Sequence, residues 1–325
     1  MPRDLVDQIV FKAAMETDAR LYPLPELENE LMEKIAERYS VDPEMVVITN
    51  GADDAIALLL DAVRLFSKES RPLVATLKPS YPMYSLLSKA KGCEVDIIKM
   101  NENDFRVDKE LALEKSSKAD IVFFCNPNNP TGNLLDLEIL KSVAESSRGL
   151  FVVDETYLLF AEGAKSLAGS YENTVVIGTF SKAFGLAGLR LGYIVARSEI
   201  AEFLRVLRTP YQVNSIALRA GLLALSNIHE FEKYIAEARE LRHVLASELR
   251  ELNDLEVYDT QTNFVFAKTK IRASTLSREL RKRGVCVRVY ENLFREGDSY
   301  VRVSVPPRRL LSFVKEVFYD VLRAS

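Results

Sequence analysis

The sequence predicts an α/β fold in two parts: a large domain with a mostly parallel sheet sandwiched by helices, and a smaller α+β domain. From residue 46 onward, short β-rich runs alternate with helical ones, and the strand-like runs are almost continuously apolar. Such runs are typical of parallel sheets covered on both faces. The alternation stops beyond about residue 216, and 325 residues fit a large domain plus a smaller one.

The first part of the chain supplies the elements of the large domain in order. Strands are predicted at 46–49, 73–77, 94–98, 121–125, 150–153 and 174–179. Helices are predicted at 53–66, 81–91 and 136–146. In parallel sheets ligands bind beyond the carboxyl ends of the strands. Because Gly51, Asn129, Asp154, Ser181 and Lys182 all follow predicted strands, we expect the functional site at that edge.

The rest of the chain predicts the smaller domain. A long helix rich in Glu and Arg is predicted at 216–252, leading into it. Strands are predicted at 264–267, 285–289 and 300–305, and helices at 274–283 and 308–322. The sequence contains no recognisable repeat, low-complexity segment, helix-turn-helix or zinc module.

Composition argues against several classes of function. Hydrophobic residues at 48% and charged residues at 28% are ordinary for a soluble globular protein. The net charge of −4 gives no reason to expect nucleic acid or an anionic membrane as a partner. The two histidines, His229 and His243, lie in charged helical sequence. We therefore expect neither a metal site built on histidine nor a Ser-His triad.

The sequence predicts a cytoplasmic location. Cys93, Cys125 and Cys286 lie far apart with no C-x-x-C pair, which favours a reducing compartment over a disulfide framework. No apolar stretch approaches the roughly 20 residues that span a bilayer. The N-terminal residues Met-Pro-Arg-Asp lack the basic and apolar regions of a signal peptide.

The most informative segment is 179–192, Thr-Phe-Ser-Lys-Ala-Phe-Gly-Leu-Ala-Gly-Leu-Arg-Leu-Gly. Lys182 lies among small and apolar residues, with Arg190 eight positions later. A lysine in apolar surroundings loses its charge readily and becomes the amine nucleophile that Schiff-base chemistry needs. The neighbouring hydroxyl groups and the arginine suit a phosphate group. We therefore predict that Lys182 binds pyridoxal 5′-phosphate (PLP).

Further short motifs accompany this segment along almost the whole chain. They are 50–53 (Asn-Gly-Ala-Asp), 79–81 (Pro-Ser-Tyr), 126–132 (Asn-Pro-Asn-Asn-Pro-Thr-Gly), 154–157 (Asp-Glu-Thr-Tyr) and 301–304 (Val-Arg-Val-Ser). In this order they resemble the aspartate-aminotransferase superfamily of class I/II, fold-type-I PLP enzymes, and within it the histidinol-phosphate aminotransferases. The resemblance implies a seven-stranded large sheet. It also implies a PLP-binding domain at 24–208 and a small domain formed by 1–23 and 209–325.

The resemblance assigns catalytic roles to Lys182, Asp154 and Tyr157. Lys182 carries the cofactor and then transfers a proton, while Asp154 faces the pyridine nitrogen and keeps the ring protonated and electron-withdrawing. Asn129 and Tyr157 donate to the phenolic oxygen of the ring. Simpler structural explanations exist: Asp154 also suits capping of a turn, Asn129 turn formation, and Tyr157 packing between the domains.

The resemblance and elementary electrostatics agree on a phosphate site. The helix expected near residue 52 would present backbone N–H groups and its positive dipole end to an anion. Glycine at position 51 would let the backbone approach closely. The residues expected to hold the phosphate are Gly51, Ala52, Asp53, Thr179, Ser181 and Arg190.

Two tyrosines complete the expected cofactor site. Tyr81 matches a residue that stacks on the ring, although an aromatic at a helix start is also common core material. Tyr22 matches a family tyrosine that reaches the phosphate of the neighbouring subunit, which implies a homodimer. Its alternative is a loop tyrosine ahead of two prolines.

Two arginines are expected to bind the substrate. Arg302 matches the residue that binds the α-carboxylate in this superfamily, and Arg288 matches one that binds the phosphate of histidinol phosphate. The resemblance implies transamination between glutamate/2-oxoglutarate and histidinol phosphate/imidazole acetol phosphate, in histidine biosynthesis. Arg288 on the solvent face of an edge strand would look the same in sequence.

Other functions remain open on sequence grounds. They are a threonine-phosphate decarboxylase, a broad aromatic or aspartate aminotransferase, and a PLP-binding regulator without turnover. Histidinol-phosphate aminotransferases usually begin with an arm that contains an Asn-Glu-Asn-Pro-like stretch, and this sequence starts after that point. Either the arm is absent in this branch or another segment covers the substrate.

Overall fold

A computed structural model describes residues 3–323 of the chain. Met1–Pro2 and 324–325, the two ends of the expected small domain, lie outside the described residues. Met1 and Pro2 also begin the N-terminal segment that is expected not to be a signal peptide.

The large sheet has seven strands in the order β1-β7-β6-β5-β4-β2-β3. They are β1 Val46–Thr49, β2 Leu73–Lys78, β3 Glu94–Lys99, β4 Ile121–Cys125, β5 Leu150–Asp154, β6 Thr174–Thr179 and β7 Gly192–Val195. Only β7 runs antiparallel to its neighbours β1 and β6. The prediction of a mostly parallel, seven-stranded sheet is confirmed.

Helices cover both faces of this sheet. In chain order they are α1 Arg3–Met15, α2 Pro25–Tyr39, α3 Ala52–Phe66, α4 Met83–Ala90, α5 Lys109–Ser116, α6 Leu137–Ser146, α7 Ser198–Leu207 and α8 Ser215–Ser226. Successive residues of a strand enter different apolar clusters: Val122 and Phe124 of β4 join one, whereas Ile121 and Phe123 join the other. Both faces of the strand are therefore buried, which explains its continuous apolar run.

A second, antiparallel sheet follows the long helix α9, Ile228–Arg250. Its order is β10-β11-β9-β8, with β8 Leu255–Tyr258, β9 Phe264–Thr269, β10 Arg288–Glu291 and β11 Ser299–Ser304. The helices α10 Ala273–Lys282 and α11 Leu311–Arg323 accompany it. Val265, Ala267, Val301 and Val303 form a third core with these helices. Because strand residues alternate, Phe264, Phe266, Tyr300 and Arg302 share the other face.

Two sequence-based boundaries were wrong. The single helix expected at 216–252 is two helices, α8 and α9, separated at Asn227. The Asn227 amide nitrogen Nδ2 donates to the carbonyl of Leu223 at 2.7 Å, which caps α8 and ends it. The strand expected at 285–289 begins only at Arg288. Residues 284–285 still cap α10, because the Val285 N–H donates to the carbonyl of Leu280.

No helix within residues 3–323 is long and apolar enough to cross a membrane. In the same range, no group of three or more His, Cys, Asp or Glu side chains could hold a metal ion.

Candidate active site

A cavity of about 320 Å³ lies at the carboxyl edge of the large sheet, facing β10 and β11 of the small sheet. It brings together most of the residues singled out in the sequence: Ala52, Asp53, Tyr81, Asn129, Asp154, Tyr157, Thr179, Ser181, Lys182, Arg190, Arg288 and Arg302. The parallel strands end at this edge, so distant motifs of the chain meet here.

Lys182 lies in the turn after β6. Burial, followed by the positive charges of Arg302 and Arg190, lowers its pKa, whereas Asp154 acts in the opposite direction. Its ammonium nitrogen lies 5.8 Å from the centre of the Tyr157 ring. These surroundings raise the fraction of neutral amine near pH 7, which is the form that acts as a nucleophile or a proton acceptor.

Asp154 ends the central strand β5 and is almost fully buried. Burial raises its pKa, whereas hydrogen bonds from Thr156 and Tyr84 favour the ionised form. The Thr156 N–H donates to Oδ1 at 3.0 Å, and the Tyr84 hydroxyl donates to Oδ2 at 2.6 Å. Both carboxylate oxygens are therefore supported from within the protein, although the group also borders the cavity.

Asn129 is oriented by Arg302. The Arg302 Nη1 donates to the Asn129 Oδ1 at 2.7 Å, and the guanidinium lies over the Phe264 ring at 4.7 Å. Because Oδ1 is engaged, the amide of Asn129 presents its NH₂ group as a donor. The Arg302 Nε is buried and has no hydrogen-bond partner within residues 3–323. Arg302 itself borders the cavity, where its guanidinium is suited to an anionic ligand.

Tyr157 is buried and packs edge-on against Phe264, with ring centres 5.4 Å apart. Burial is the main cause that raises its pKa, so the phenol stays protonated near neutral pH and is available as a donor. Its contact with Phe264 of the small sheet also provides the packing expected as the alternative role.

One end of the cavity has the features of an anion site. Helix α3 begins there, and no side chain caps its N-terminus, which leaves backbone N–H groups free for an anion. Gly51 has a φ of +89°, and a Cβ atom built on it would lie 2.9 Å from the Arg190 Nη2. The positive φ favours glycine at this position, and the absence of a Cβ atom leaves room for the guanidinium. Thr179 and Ser181 adjoin on the same wall, and the Ser181 N–H donates to the Thr179 hydroxyl at 3.1 Å.

Asp53 adds a negative charge to this anion site. Its Oδ2 lies 3.4 Å from the Arg190 Nη2, and its Oδ1 accepts from the Tyr81 hydroxyl at 2.8 Å. The long Arg190 contact is half exposed and therefore weak. Asp53 thus positions the Tyr81 side chain while leaving Arg190 largely available to a ligand.

Arg288 and Arg302 lie side by side. They are direct partners in the antiparallel pairing of β10 with β11, and both border the cavity. Paired residues project from the same face of a sheet. The small sheet therefore presents two adjacent guanidinium groups to one cavity.

Tyr22 lies outside this cavity. Its side chain is 75% exposed, and its ring stacks on Tyr211 with centres 4.7 Å apart. The structure describes one chain, so the expected contact of Tyr22 with a neighbouring subunit stays a prediction.

Sequence reasoning missed several wall residues, namely Pro82, Cys125, Thr156, Ala187 and Tyr290, and also Tyr84 behind Asp154. Pro82 and Thr156 immediately follow predicted site residues. Tyr290 is two positions after Arg288, which places both on one face of β10. Tyr84 is three positions after Tyr81, one turn further along the chain. Adjacency to predicted site residues would have found Pro82 and Thr156, whereas the places of Tyr84 and Tyr290 depend on how α4 and the small sheet pack against the site.

The functional groups that line the cavity fit PLP. An amine with lowered pKa suits the aldehyde, and a buried carboxylate suits the ring nitrogen. The NH₂ of Asn129 and the phenol of Tyr157 suit the phenolic oxygen. The uncapped start of α3, with Arg190 against Gly51, suits the phosphate.

Comparisons with known proteins agree with this geometry. The family model "Aminotransferase class I and II" matches residues 3–312. A histidinol-phosphate aminotransferase of Caldanaerobacter subterraneus subsp. tengcongensis is 35% identical, over 84% of this chain and 76% of the relative.

Solved structures share the whole fold. The histidinol-phosphate aminotransferase of Clostridium acetobutylicum superposes with a TM-score of 0.87 at 23% identity, over 98% of this chain and 96% of the other. The L-threonine-O-3-phosphate decarboxylase of Porphyromonas gingivalis superposes with a TM-score of 0.83 at 25% identity, over 99% and 96%. With the family model and the 35% identical relative, the chain belongs to the class I and II aminotransferase family and is a PLP-dependent aminotransferase.

Proposed function

We propose that this enzyme transfers an amino group between glutamate/2-oxoglutarate and histidinol phosphate/imidazole acetol phosphate, in histidine biosynthesis. The observation that carries the proposal is the pair of adjacent arginines, Arg288 and Arg302, on the cavity wall. Histidinol phosphate has a phosphate and no carboxylate, whereas glutamate has two carboxylates. Two neighbouring guanidinium groups can bind either kind of anion. The name of the Caldanaerobacter relative supports the same substrate.

The chain's own residues would hold the cofactor as follows. Lys182 would bind its aldehyde, and Asp154 its ring nitrogen. Asn129 and Tyr157 would donate to the phenolic oxygen, with Tyr81 against the ring face. Its phosphate would be held by Gly51, Ala52, Asp53, Thr179, Ser181 and Arg190. Bound PLP supplies an electron sink that stabilises negative charge at the substrate Cα.

Lys182 would also move the proton that transamination requires. Its free amine would take the proton from the substrate Cα atom. The lowered pKa of Lys182 keeps a larger share of the amine unprotonated for this task. Asp154 and Tyr157 are buried, so their positions are fixed while the proton moves.

A panel of amino donors with 2-oxoglutarate tests the substrate. Histidinol phosphate should give the highest kcat/KM among histidinol phosphate, phenylalanine, tyrosine and aspartate. Arg288→Ala should lower kcat/KM about 10–100-fold for the phosphorylated donor and less for glutamate, because a charge-assisted hydrogen bond is lost. Arg283→Ala, an exposed arginine beyond α10, is the matched control. Equal losses for both donors would reduce Arg288 to general anion binding, and a preference for phenylalanine, tyrosine or aspartate would reject the proposed substrate.

A threonine-phosphate decarboxylase is the second candidate. The Porphyromonas decarboxylase covers 99% of this chain at 25% identity, and its named substrate, like histidinol phosphate, combines a phosphate with an amino group. Incubation with threonine phosphate distinguishes the two reactions. Release of aminopropanol phosphate and CO₂ without any keto acceptor would favour decarboxylation.

A homodimer in which Tyr22 reaches the partner's phosphate site is part of the proposal. The exposed hydroxyl of Tyr22 supports it, because stacking on Tyr211 leaves the edge of the ring free. Mixing inactive Lys182→Ala subunits with Tyr22→Phe subunits tests it. A mixed dimer contains one site with both residues intact, so activity should rise above that of either variant alone. Mixing Lys182→Ala with Lys182→Ala,Tyr22→Phe chains is the control, and no gain in the first mixture would reject a shared site.

A cytoplasmic location also belongs to the proposal. The three free cysteines support it, since disulfides are rare in reducing compartments. Fractionation of cells that express the full chain tests it, and recovery outside the cytoplasmic fraction would contradict it.

A further inference from the structure

Tyr84 of α4 lies directly behind Asp154. The whole side chain is buried, and its hydroxyl donates to the Asp154 Oδ2 at 2.6 Å. Its ring stacks on Phe123 of β4 with centres 5.2 Å apart, and the Tyr81 ring packs edge-on against it at 5.6 Å. Two ring contacts and one short hydrogen bond therefore hold the phenol in a single orientation.

The direction of this hydrogen bond is fixed. Burial and the neighbouring Asp154 charge raise the pKa of Tyr84 well above its usual value, so the phenol keeps its hydrogen. An ionised carboxylate can only accept. A hydrogen bond from a phenol to a buried carboxylate is strong and favours the ionised form over the neutral acid.

Other titratable groups also face Asp154. They are Asp53 on α3, Tyr81 before α4, Cys125 on β4, Glu155 and Tyr157 after β5, and Lys182 after β6. Within residues 3–323 none of these side chains hydrogen-bonds to the carboxylate; Tyr84 and Thr156 are its donors. Thr156 supports the carboxylate through both its backbone N–H and its side chain, with the N–H on Oδ1, whereas Tyr84 is the donor to Oδ2 that Tyr84→Phe removes.

We infer that Tyr84 is a positioning residue that keeps the Asp154 carboxylate ionised and fixed in place, so that it can face the ring nitrogen of the cofactor. The purpose of this carboxylate rests on the proposed function, whereas the hydrogen bond does not. No atom of Tyr84 borders the cavity, so its effect on the reaction passes through Asp154.

Tyr84→Phe tests the inference, since it removes one oxygen and retains the ring. Tyr39→Phe is the matched control, because the Tyr39 hydroxyl is also buried and bonds to Tyr193 at 3.0 Å, away from Asp154. Carboxyl ¹³C NMR of the full chain without cofactor should show Asp154 taking up its proton at higher pH in Tyr84→Phe. The resonance is assigned by its loss in Asp154→Asn. An unchanged titration, or the same change in Tyr39→Phe, would overturn the inference.

The holoenzyme gives a second readout. With ¹⁵N-labelled PLP, the ring-nitrogen resonance of Tyr84→Phe should move toward that of neutral pyridine, and kcat should fall about tenfold or more with KM little changed. An unchanged resonance would contradict the inference. If PLP proves not to bind at Lys182, the proposed function fails, yet the carboxyl titration still decides the Tyr84–Asp154 interaction.

A third measurement does not depend on folding of the Phe variant. The tyrosine Raman doublet reports how strongly a phenol donates. The spectrum of the unaltered chain should contain the contribution of one strongly donating tyrosine. In Asp154→Asn that contribution should be weaker, because an amide replaces the carboxylate that accepts the hydrogen bond. No difference between the two spectra would count against Tyr84 as the donor.

Discussion

At the scale of single residues, the side chains proposed to act on the cofactor meet around one cavity. Lys182, Asp154 and Asn129 belong to motifs that follow strands, so their meeting at one edge follows from a parallel sheet. Tyr84 and Tyr290 could not be assigned in this way, because their places depend on how a helix and a second sheet pack against that edge. From the sequence alone, a tyrosine in α4 is indistinguishable from an ordinary core residue. Its hydrogen bond to a carboxylate is apparent only in the structure.

Lys182→Ala should retain PLP binding but lose turnover by about 10²–10⁴-fold, because the proton-transfer group is removed. Borohydride reduction of the unaltered holoenzyme should attach the cofactor to Lys182 covalently, as peptide mass spectrometry would reveal. Lys165→Ala, an exposed lysine, is the control and should behave as the unaltered chain. Label on another lysine, or full activity without Lys182, would refute the assignment.

Glu155 makes stability depend on pH. Burial raises its pKa from 4.5 to about 7, and its Oε2 has no hydrogen-bond partner among residues 3–323. Between these two values the unfolded chain ionises Glu155 while the folded chain does not. The free energy of unfolding therefore decreases as pH rises through this window, by about 3 kcal/mol for this group. Below pH 4.5 both states are protonated, and above pH 7 the loss is complete.

Glu155→Gln removes that dependence, since an amide does not ionise. The free energy of unfolding of the variant, relative to the unaltered chain, should increase by about 2–3 kcal/mol between pH 5 and pH 8. Urea unfolding at several pH values measures it. Glu251→Gln, an exposed position, should give a flat difference. The same flat result for Glu155→Gln would contradict the raised pKa.

At the scale of elements, periodicity predicted most strands and helices. Two of its boundaries were wrong because a local interaction determines where the element begins or ends. The break at Asn227 depends on one side-chain cap, and the late start of β10 depends on the turn that ends α10. Strand β7 is four residues long and directly follows the lysine segment, so no separate pattern marked it. The strand exists because β1 and β6 both pair with it.

Helix α9 stabilises the segment after β5 through a buried cation. Arg242 donates to the carbonyls of Phe160 and Thr262 and to the Glu162 carboxylate, at 3.1, 3.3 and 2.8 Å. Arg242→Met should lower the free energy of unfolding by about 3 kcal/mol, because these acceptors lose their donor. Arg250→Met, at an exposed position on the same helix, should change stability by less than about 1 kcal/mol. Thermal unfolding compares the two, and equal effects would contradict the buried role.

At the scale of the whole molecule, the sequence predicted two parts and a parallel sheet, but not how the parts join. The proposed extent of the large domain, residues 24–208, stays a prediction. Phe105, in the loop between β3 and α5, packs against Tyr258, Phe266 and Phe294 near the small sheet, with ring centres 4.6–5.8 Å apart. Neither a motif nor a periodic pattern marks this residue, because its partners are distant in the sequence.

Phe105→Ala should weaken the connection between the two sheets. Removal of a buried phenylalanine costs about 3–5 kcal/mol, so calorimetry should record a lower melting temperature, or two separate transitions. Phe313→Ala is the control, since Phe313 is 43% exposed. An unchanged melting temperature for Phe105→Ala would indicate that this contact does not hold the parts together.

The register of β5 has a consequence for how this protein can vary in length. Cys125 and Asp154 end β4 and β5, and they lie abreast of Ile177, two residues before the end of β6. One residue inserted within β5 would turn every later side chain of that strand to the opposite face. Asp154 would then lose both its hydrogen bond with Tyr84 and its place at the cavity. Insertions and deletions compatible with activity are therefore confined to the loops that connect the strands.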